Sequence, residues 1–358
     1  MEKMKAARLF GIGDFRLDEV EIPQPRGKEI LVKVGACGVC GSDLPRIYEH
    51  GSSNGKYPIT VGHEFSGTIV KTGDNADPAL LGKRGAFFPL IPCRECDSCL
   101  SGNYAMCSHY DYMGSRRDGG FAQYILVPSD WHFVESRNGN VSFESLAMTE
   151  PACVAQHSIR KAQVTAGSNV LIYGAGPIGI MAARWAVIFG ARKVVTVDVV
   201  DSKVEFSEQH GFDCLNSRSE GFEQAVRDAF GGQLADCAVE GTGFGSALEN
   251  AINTVKPFGK ITLLGNPAGD TRISLKAHST ILRKELDIRG MWNSHFSNTP
   301  MNEWRYTVDM MDSGKFTCED LISHRLKLEE VPEFIYKMHS KEVNYCKVLF
   351  SASASSVG

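Results

Sequence analysis

The sequence predicts two domains of different class, a small β-barrel or sandwich and a doubly wound parallel α/β sheet. Three observations predict this. The 358 residues make about two domains at roughly 150 residues each. The first part of the chain reads as short β-rich runs broken by Gly and Pro, among them Ile30–Ala36, Gly67–Lys71, Gly85–Phe88 and Phe121–Val127. From about Cys153 helices alternate with apolar strands, the pattern of a parallel sheet covered on both faces.

Taken in order, the N-terminus Met1–Phe10 carries Glu2, Lys3, Lys5 and Arg8 without an apolar run, so it does not read as a signal peptide. In the second part the strand candidates are Val170–Tyr173, Val194–Val197, Ala235–Val239 and Ile261–Leu264. The helix candidates are Met181–Phe189, Lys203–His210, Glu220–Phe230 and Gly245–Val255. After about Gly290 the alternation stops, which returns the chain to the first domain. The expected boundaries are 1–152 with 291–358 for one domain and 153–290 for the other. Ser351–Gly358 reads as a frayed tail.

Lys and Arg total 38 against 42 Asp and Glu, a net charge of −4. That balance gives no footprint for nucleic acid and no polybasic membrane anchor. Hydrophobic residues at 43% and charged residues at 22% exclude disorder for most of the chain. Val170–Ala191 is nearly uncharged, but Gly174, Gly176, Pro177, Gly179 and Arg184 make it a strand, a turn and a buried helix rather than a membrane span. The expected location is the cytoplasm, where thiols stay reduced. The eleven cysteines then need another reason, and six of them lie between Cys37 and Cys107, which points to metal.

Cys93-x2-Cys96-x2-Cys99-x7-Cys107 is the first chemical signal. Four thiolates this close can enclose one tetrahedral Zn²⁺ and leave no open position, so the site is structural. An iron–sulfur cluster is the chemical rival, and His109 is a spare ligand next to a set already complete.

Gly174-Ala175-Gly176-Pro177-Ile178-Gly179 is the second signal, placed between a predicted strand and a predicted helix. Gly174 permits the turn, Gly176 lets the backbone approach a pyrophosphate, and Gly179 lets helix and strand pack closely. The pyrophosphate takes the helix N-terminus. The next strand ends at Asp198, which accepts from the adenosine ribose hydroxyls and repels a 2′-phosphate. Val199 and Val200 follow without an arginine, so NAD is expected rather than NADP. Lys203 either reaches the ribose or is a solvated helix charge.

The third signal is dispersed: Cys40-Gly41-Ser42-Asp43, Gly62-His63-Glu64-x2-Gly67 and Glu150-Pro151. Cys, His and Glu are zinc ligands, yet each one alone is more often a core thiol, a satisfied histidine or a turn acid. No second His follows His63 at i+4, so this is not a metalloprotease helix.

In this order the three signals resemble the zinc-dependent medium-chain alcohol/polyol dehydrogenases, and the resemblance covers essentially the whole chain. It implies a GroES-like β-barrel catalytic domain and a Rossmann domain. It implies NAD and two Zn²⁺ per chain, with Cys40, His63 and Glu150 as protein ligands of a catalytic zinc. Glu64 is a ligand, or an alternate one exchanging with water or substrate, and Ser42 takes the alcohol proton. Cys37 has no ligand role and reads as strand packing. Many relatives end their proton relay on a histidine five residues after the ligand cysteine; here that residue is Pro45. The next acceptor stays open, with His50 available only if its loop folds inward.

Cys40–Ile47, Tyr57–Gly67, Gly114–Ala122 and Leu282–Trp292 resemble the galactitol-phosphate branch of the family. The implied reaction is oxidation of galactitol 1-phosphate to tagatose 6-phosphate. The runner-up is a sorbitol- or iditol-type dehydrogenase of free polyols, and the rival from another class is a non-catalytic NAD-binding zinc protein. A phosphorylated substrate requires cations, and Arg46, Arg116 and Arg117 are the candidates, with salt bridges as their alternative use. Trp292 and Asn293 stand where sorbitol-type enzymes bind polyol hydroxyls. The expected partners are this small molecule and copies of the chain, as a homodimer or homotetramer, without nucleic acid or membrane.

Overall fold

A computed structural model describes residues 2–267, 269–297, 299 and 301–354. The chain forms two compact units, Met1–Pro151 with His295–Gly358, and Ala152–Ser294.

The first unit is built on the strand Ile30–Gly38, in which only Lys33 reaches solvent. It pairs antiparallel with Glu64–Thr72, Tyr124–Val127 and Lys347–Ser351. The sheet runs on from Glu64–Thr72 through Arg84–Phe87 to Phe133–Glu135, and from Lys347–Ser351 to Ile322–Leu326. Val32, Val34, Phe65, Ile69, Phe87 and Phe121 fill the interior. Cys37 is fully buried among them, and a Cβ at Gly62 or Gly120 would come within 2.8 or 2.9 Å of its Sγ. It packs, as its place in a strand led us to expect.

Register places Gly38 opposite both Glu64 and Leu349. A Cβ at Gly38 would lie 2.1 Å from Glu64 Oε2, so only glycine fits there. The C-terminal reading needs one correction. Ser351 ends a buried strand and its Oγ hydrogen-bonds Glu144 Oε1, because the strand Lys347–Ser351 is needed to complete the sheet. Residues 355–358 of that expected tail lie outside the described residues.

His132 shows how this interior responds to acid. It is 1% exposed, and its Nδ1–H donates to Phe88 O at 2.9 Å. Burial, aided by Arg94 and Arg117 and opposed by the Phe88 carbonyl, pushes its pKa down to about 4. Unfolded, it titrates near 6.5. The folded state therefore resists protonation that the unfolded chain accepts. This stabilisation is complete above about pH 6.5 and is lost as pH falls towards about 4. About 2.5 units correspond to about 3 kcal/mol. In His132→Gln the melting temperature is expected to depend less on pH across that window than in wild type. Identical pH profiles for the two proteins would count against it.

In the second unit six strands, Asn169–Tyr173, Lys193–Asp198, Cys214–Asn216, Ala235–Glu240, Val255–Leu263 and Asp287–Gly290, are all parallel. Numbered along the unit, they lie in the order 3-2-1-4-5-6. This is the doubly wound sheet expected from the strand–helix alternation. The uncharged stretch divides as expected, into the strand Asn169–Tyr173 and the helix Pro177–Ile188. No helix among the described residues is long and apolar enough to cross a membrane. Met291 N–H donates to Leu263 O at 3.1 Å, which keeps residues 291–294 with this unit.

Candidate active site

Cys40 follows the end of Ile30–Gly38, while His63 precedes and Glu64 opens the adjacent strand. Pairing of those strands brings the three together. Their ligand-type atoms all lie within 4.8 Å of one another. Atoms bound to one zinc at ~2.0–2.3 Å stand roughly 3.3–3.8 Å apart, so the donor set fits a single ion. Glu150, in the helix Thr149–Lys161, is buried beside His63 and Glu64 but falls outside this group. Burial pushes its carboxyl up to about 7, with the neighbouring Glu64 adding to the shift and His63 opposing it.

Asp43 ties two of these residues together. It is fully buried, and Oδ2 accepts from Cys40 N–H at 3.0 Å. Oδ1 stands 3.4 Å from His63 Nδ1 without hydrogen-bond alignment. A carboxylate behind one ring nitrogen orients the imidazole and leaves the other nitrogen for a metal. Burial opposes a charge on His63, but Asp43 and Cys40 overcome it and hold its pKa well above the ordinary value. That negative field suits a bound cation.

Ser42 is exposed, and its hydroxyl donates to Cys40 Sγ at 3.3 Å. His50 does not fold inward: its side chain is 74% exposed and 4.0 Å from Glu49. The condition for its part in a relay is therefore not met. Lys347 is buried, and its Nζ donates to Glu64 Oε2 and, at 3.0 Å, to Val39 O. Burial lowers its pKa, and Glu64 and Cys40 more than restore it.

Asp43 and Lys347 were not given roles from the sequence. Asp43 stood inside a motif singled out for its neighbours. The available signal for Lys347 was an ionisable residue heading the apolar run Val348–Phe350.

The four-cysteine lobe is a separate centre. Cys93, Cys96, Cys99 and Cys107 bring their sulfurs within 4.8 Å of one another, and all four thiols are free. Sulfurs at ~2.3 Å from one tetrahedral ion stand about 3.8 Å apart; Cys93 and Cys99 are 3.9 Å apart. His109 is not in the set and pairs with Ser108 at 3.1 Å.

In the second unit the glycine loop leaves the first strand where the strand order reverses, the place where such sheets bind dinucleotides. Gly174 has φ +97°, and a Cβ on Gly179 would lie 1.9 Å from Gly174 O. A Cβ on Gly176 would meet nothing within 4 Å, and Gly176 caps the helix Pro177–Ile188 without a side-chain hydrogen bond. The open space at the helix N-terminus fits a pyrophosphate. Ile178 lies in the first turn of that helix. Asp198 accepts from Ala175 N–H at 2.9 Å, Val199 N–H at 2.7 Å and Val200 N–H at 3.1 Å. A carboxylate has about four acceptor sites, so it retains capacity for a ribose while steadying the loop. Lys203 lies over the Phe206 ring at 5.7 Å.

The three arginines separate. Arg117 pairs with Asp111 at 3.2 Å. Arg116 stacks over Tyr110 at 4.0 Å and donates to its carbonyl. Arg46 donates to Ser53 Oγ at 2.7 Å, has no carboxylate partner among the described residues, and keeps a buried Nε without an acceptor. Trp292 is half-exposed and Asn293 has φ +58°; both belong to the second unit.

Comparison with known proteins agrees with these features. Residues 26–136 match the alcohol dehydrogenase GroES-like domain, and residues 177–313 match the zinc-binding dehydrogenase domain. Galactitol 1-phosphate 5-dehydrogenase of Escherichia coli is 35% identical over 328 residues, covering 90% of this chain and 93% of that protein. Its crystal structure superposes with a TM-score of 0.88 at 33% identity, covering 97% of this chain and 100% of that one. Sorbitol dehydrogenase of Bombyx mori is 31% identical, covering 93% and 94%. A zinc-binding dehydrogenase from Sinorhizobium meliloti, solved with NADP, gives a TM-score of 0.89 at 28% identity, covering 98% and 100%. The chain belongs to the zinc-dependent medium-chain alcohol/polyol dehydrogenase family and is an enzyme of that family.

Proposed function

We propose that this enzyme oxidises a secondary alcohol of a polyol phosphate with NAD, converting galactitol 1-phosphate to tagatose 6-phosphate. Cys40, His63 and Glu150 would hold a catalytic zinc, the four-cysteine lobe a structural zinc, and the chain would work as a homodimer or homotetramer. Arg46 carries the phosphate reading: it is a guanidinium near Ser42 in sequence, without a carboxylate to neutralise it among the described residues. The 35% identity to a galactitol 1-phosphate dehydrogenase supports it.

Bound zinc supplies Lewis acidity that lowers the pKa of the substrate hydroxyl. NAD supplies the hydride acceptor. The Ser42 hydroxyl, next to Cys40 Sγ, would accept the alcohol proton while passing its own to solvent water, to which it is exposed. Asp43 keeps the His63 ring in one orientation. Asp198 holds the glycine loop through Ala175 N–H and places negative charge where a 2′-phosphate would need a cation. Arg46 anchors the phosphate at the other end of the substrate.

A screen of NAD and NADP reduction over phosphorylated and free polyols tests this, with Arg46→Ala as the variant. Losing a charged hydrogen bond costs about 1.5–3 kcal/mol, roughly a factor of 10 to 150. The KM for galactitol 1-phosphate is expected to rise by that factor, while weak turnover of galactitol is unchanged. Equal kcat/KM for the two substrates in wild type would favour a free-polyol dehydrogenase instead. That second reading draws on the internal partners of Arg116 and Arg117 and on the likeness to sorbitol dehydrogenase. Preference for NADP would remove the reading of Asp198.

A further inference from the structure

Lys347 reaches the candidate catalytic metal site from the far end of the chain. Its ammonium donates to Glu64 Oε2 and to Val39 O. From the same strand, Val348 O accepts Val39 N–H at 2.9 Å, so both polar groups of the residue before Cys40 are held by one segment. Lys347 is 6% exposed and Glu64 is 1% exposed. A buried ammonium has three donors and no acceptor, and its charge is tolerable only beside an opposite one. The same Glu64 also offers an oxygen to the group formed with Cys40 and His63. One carboxylate therefore has two cationic claimants, an ammonium and a metal.

We propose that Lys347 is a positioning residue that competes with the metal for Glu64 and so keeps one coordination position open for the substrate hydroxyl. This rests on the catalytic-zinc reading, in which Cys40, His63 and Glu150 hold the ion. Without the ammonium, Glu64 is a buried carboxylate with no counter-charge of its own. Leaving a buried charge unpaired is costly, and the nearest remedy is the metal. Glu64 then becomes a firm ligand and closes the position.

The test uses the full-length enzyme with Co²⁺ in place of zinc and imidazole as the probe of the open position. Binding is followed by the visible cobalt bands. Wild type is expected to take two metals per chain and to bind imidazole with a band shift. Lys347→Met is expected to keep both metals, release the catalytic one to a chelator more slowly, and bind imidazole at least tenfold more weakly. Lys347→Arg, which keeps the charge, should stay near wild type, and Lys347→Met with Glu64→Gln should regain imidazole binding. Glu64→Gln alone should retain the metal and bind imidazole at least as tightly as wild type. That variant decides the matter even if Lys347→Met does not fold. Unchanged imidazole affinity in Lys347→Met, or loss of the metal in Glu64→Gln, overturns the proposal alone. A wild-type protein that takes up a single metal per chain overturns the catalytic-zinc reading with it.

Discussion

His63→Ala is expected to lower turnover by about a thousandfold or more while leaving melting and NAD binding nearly unchanged. The ring lies at the mouth of the strand Glu64–Thr72, outside the apolar cluster that holds the first unit together. Its removal strips one ligand from the Cys40–His63–Glu64 group and leaves Asp43 Oδ1 without the ring it faces. A metal contributes several kcal/mol of charge stabilisation in such a reaction, and about 4 kcal/mol is about three orders of magnitude in rate. Metal content should fall from two ions per chain towards one. Turnover at the wild-type level would take His63 out of the reaction altogether.

Cys96→Ser should show the opposite balance, a large loss of stability with chemistry impaired only as far as the fold is. A structural zinc contributes folding free energy directly, of the order of 10 kcal/mol in small zinc-dependent peptides. Only part of that reaches a protein with large apolar interiors of its own. A loss of several kcal/mol, at about 2–4 °C for each in a domain of this size, lowers the melting temperature by roughly 10 °C or more. Cys214→Ser is the control, since Cys214 lies outside both metal groups. Metal analysis and melting curves on the two variants decide it: equal metal content and equal melting would dissolve the four-sulfur site.

The parts of this enzyme legible in its sequence are those whose physics is local. Gly174 and Gly179 act within one turn, which demands them through a positive φ and a close backbone approach, while Gly176 leaves open space beside it. The four lobe cysteines sit close enough along the chain for their spacing to suggest a shared metal, and their sulfurs do converge. The proposed catalytic set is different, because Cys40, His63 and Glu150 are unremarkable singly, and only resemblance to a family joined them. Lys347 lay further out of reach. Its contact with Glu64 depends on the register that sets Gly38 opposite Glu64 and Leu349, a fact about strand pairing that no local pattern carries. The arginines illustrate the same limit. Residue type made all three phosphate candidates, but only packing shows that Arg117 meets Asp111, Arg116 meets Tyr110 and Arg46 meets Ser53.

The strand Lys347–Ser351 also places the enzyme's assembly in time. Lys347 and Glu64 are 283 residues apart, and a ribosome adding about 5–20 residues per second needs roughly 15–60 s to span them. For most of that interval Cys40 and His63 are without the strand that completes their sheet, whereas the second unit, contiguous in sequence, has every strand it needs before Lys347 is made. Nascent chains stalled before Lys347 should therefore protect the Ala152–Ser294 segment from protease while Met1–Pro151 is still cut. On this schedule, completion of the candidate catalytic site is among the last events of the protein's synthesis.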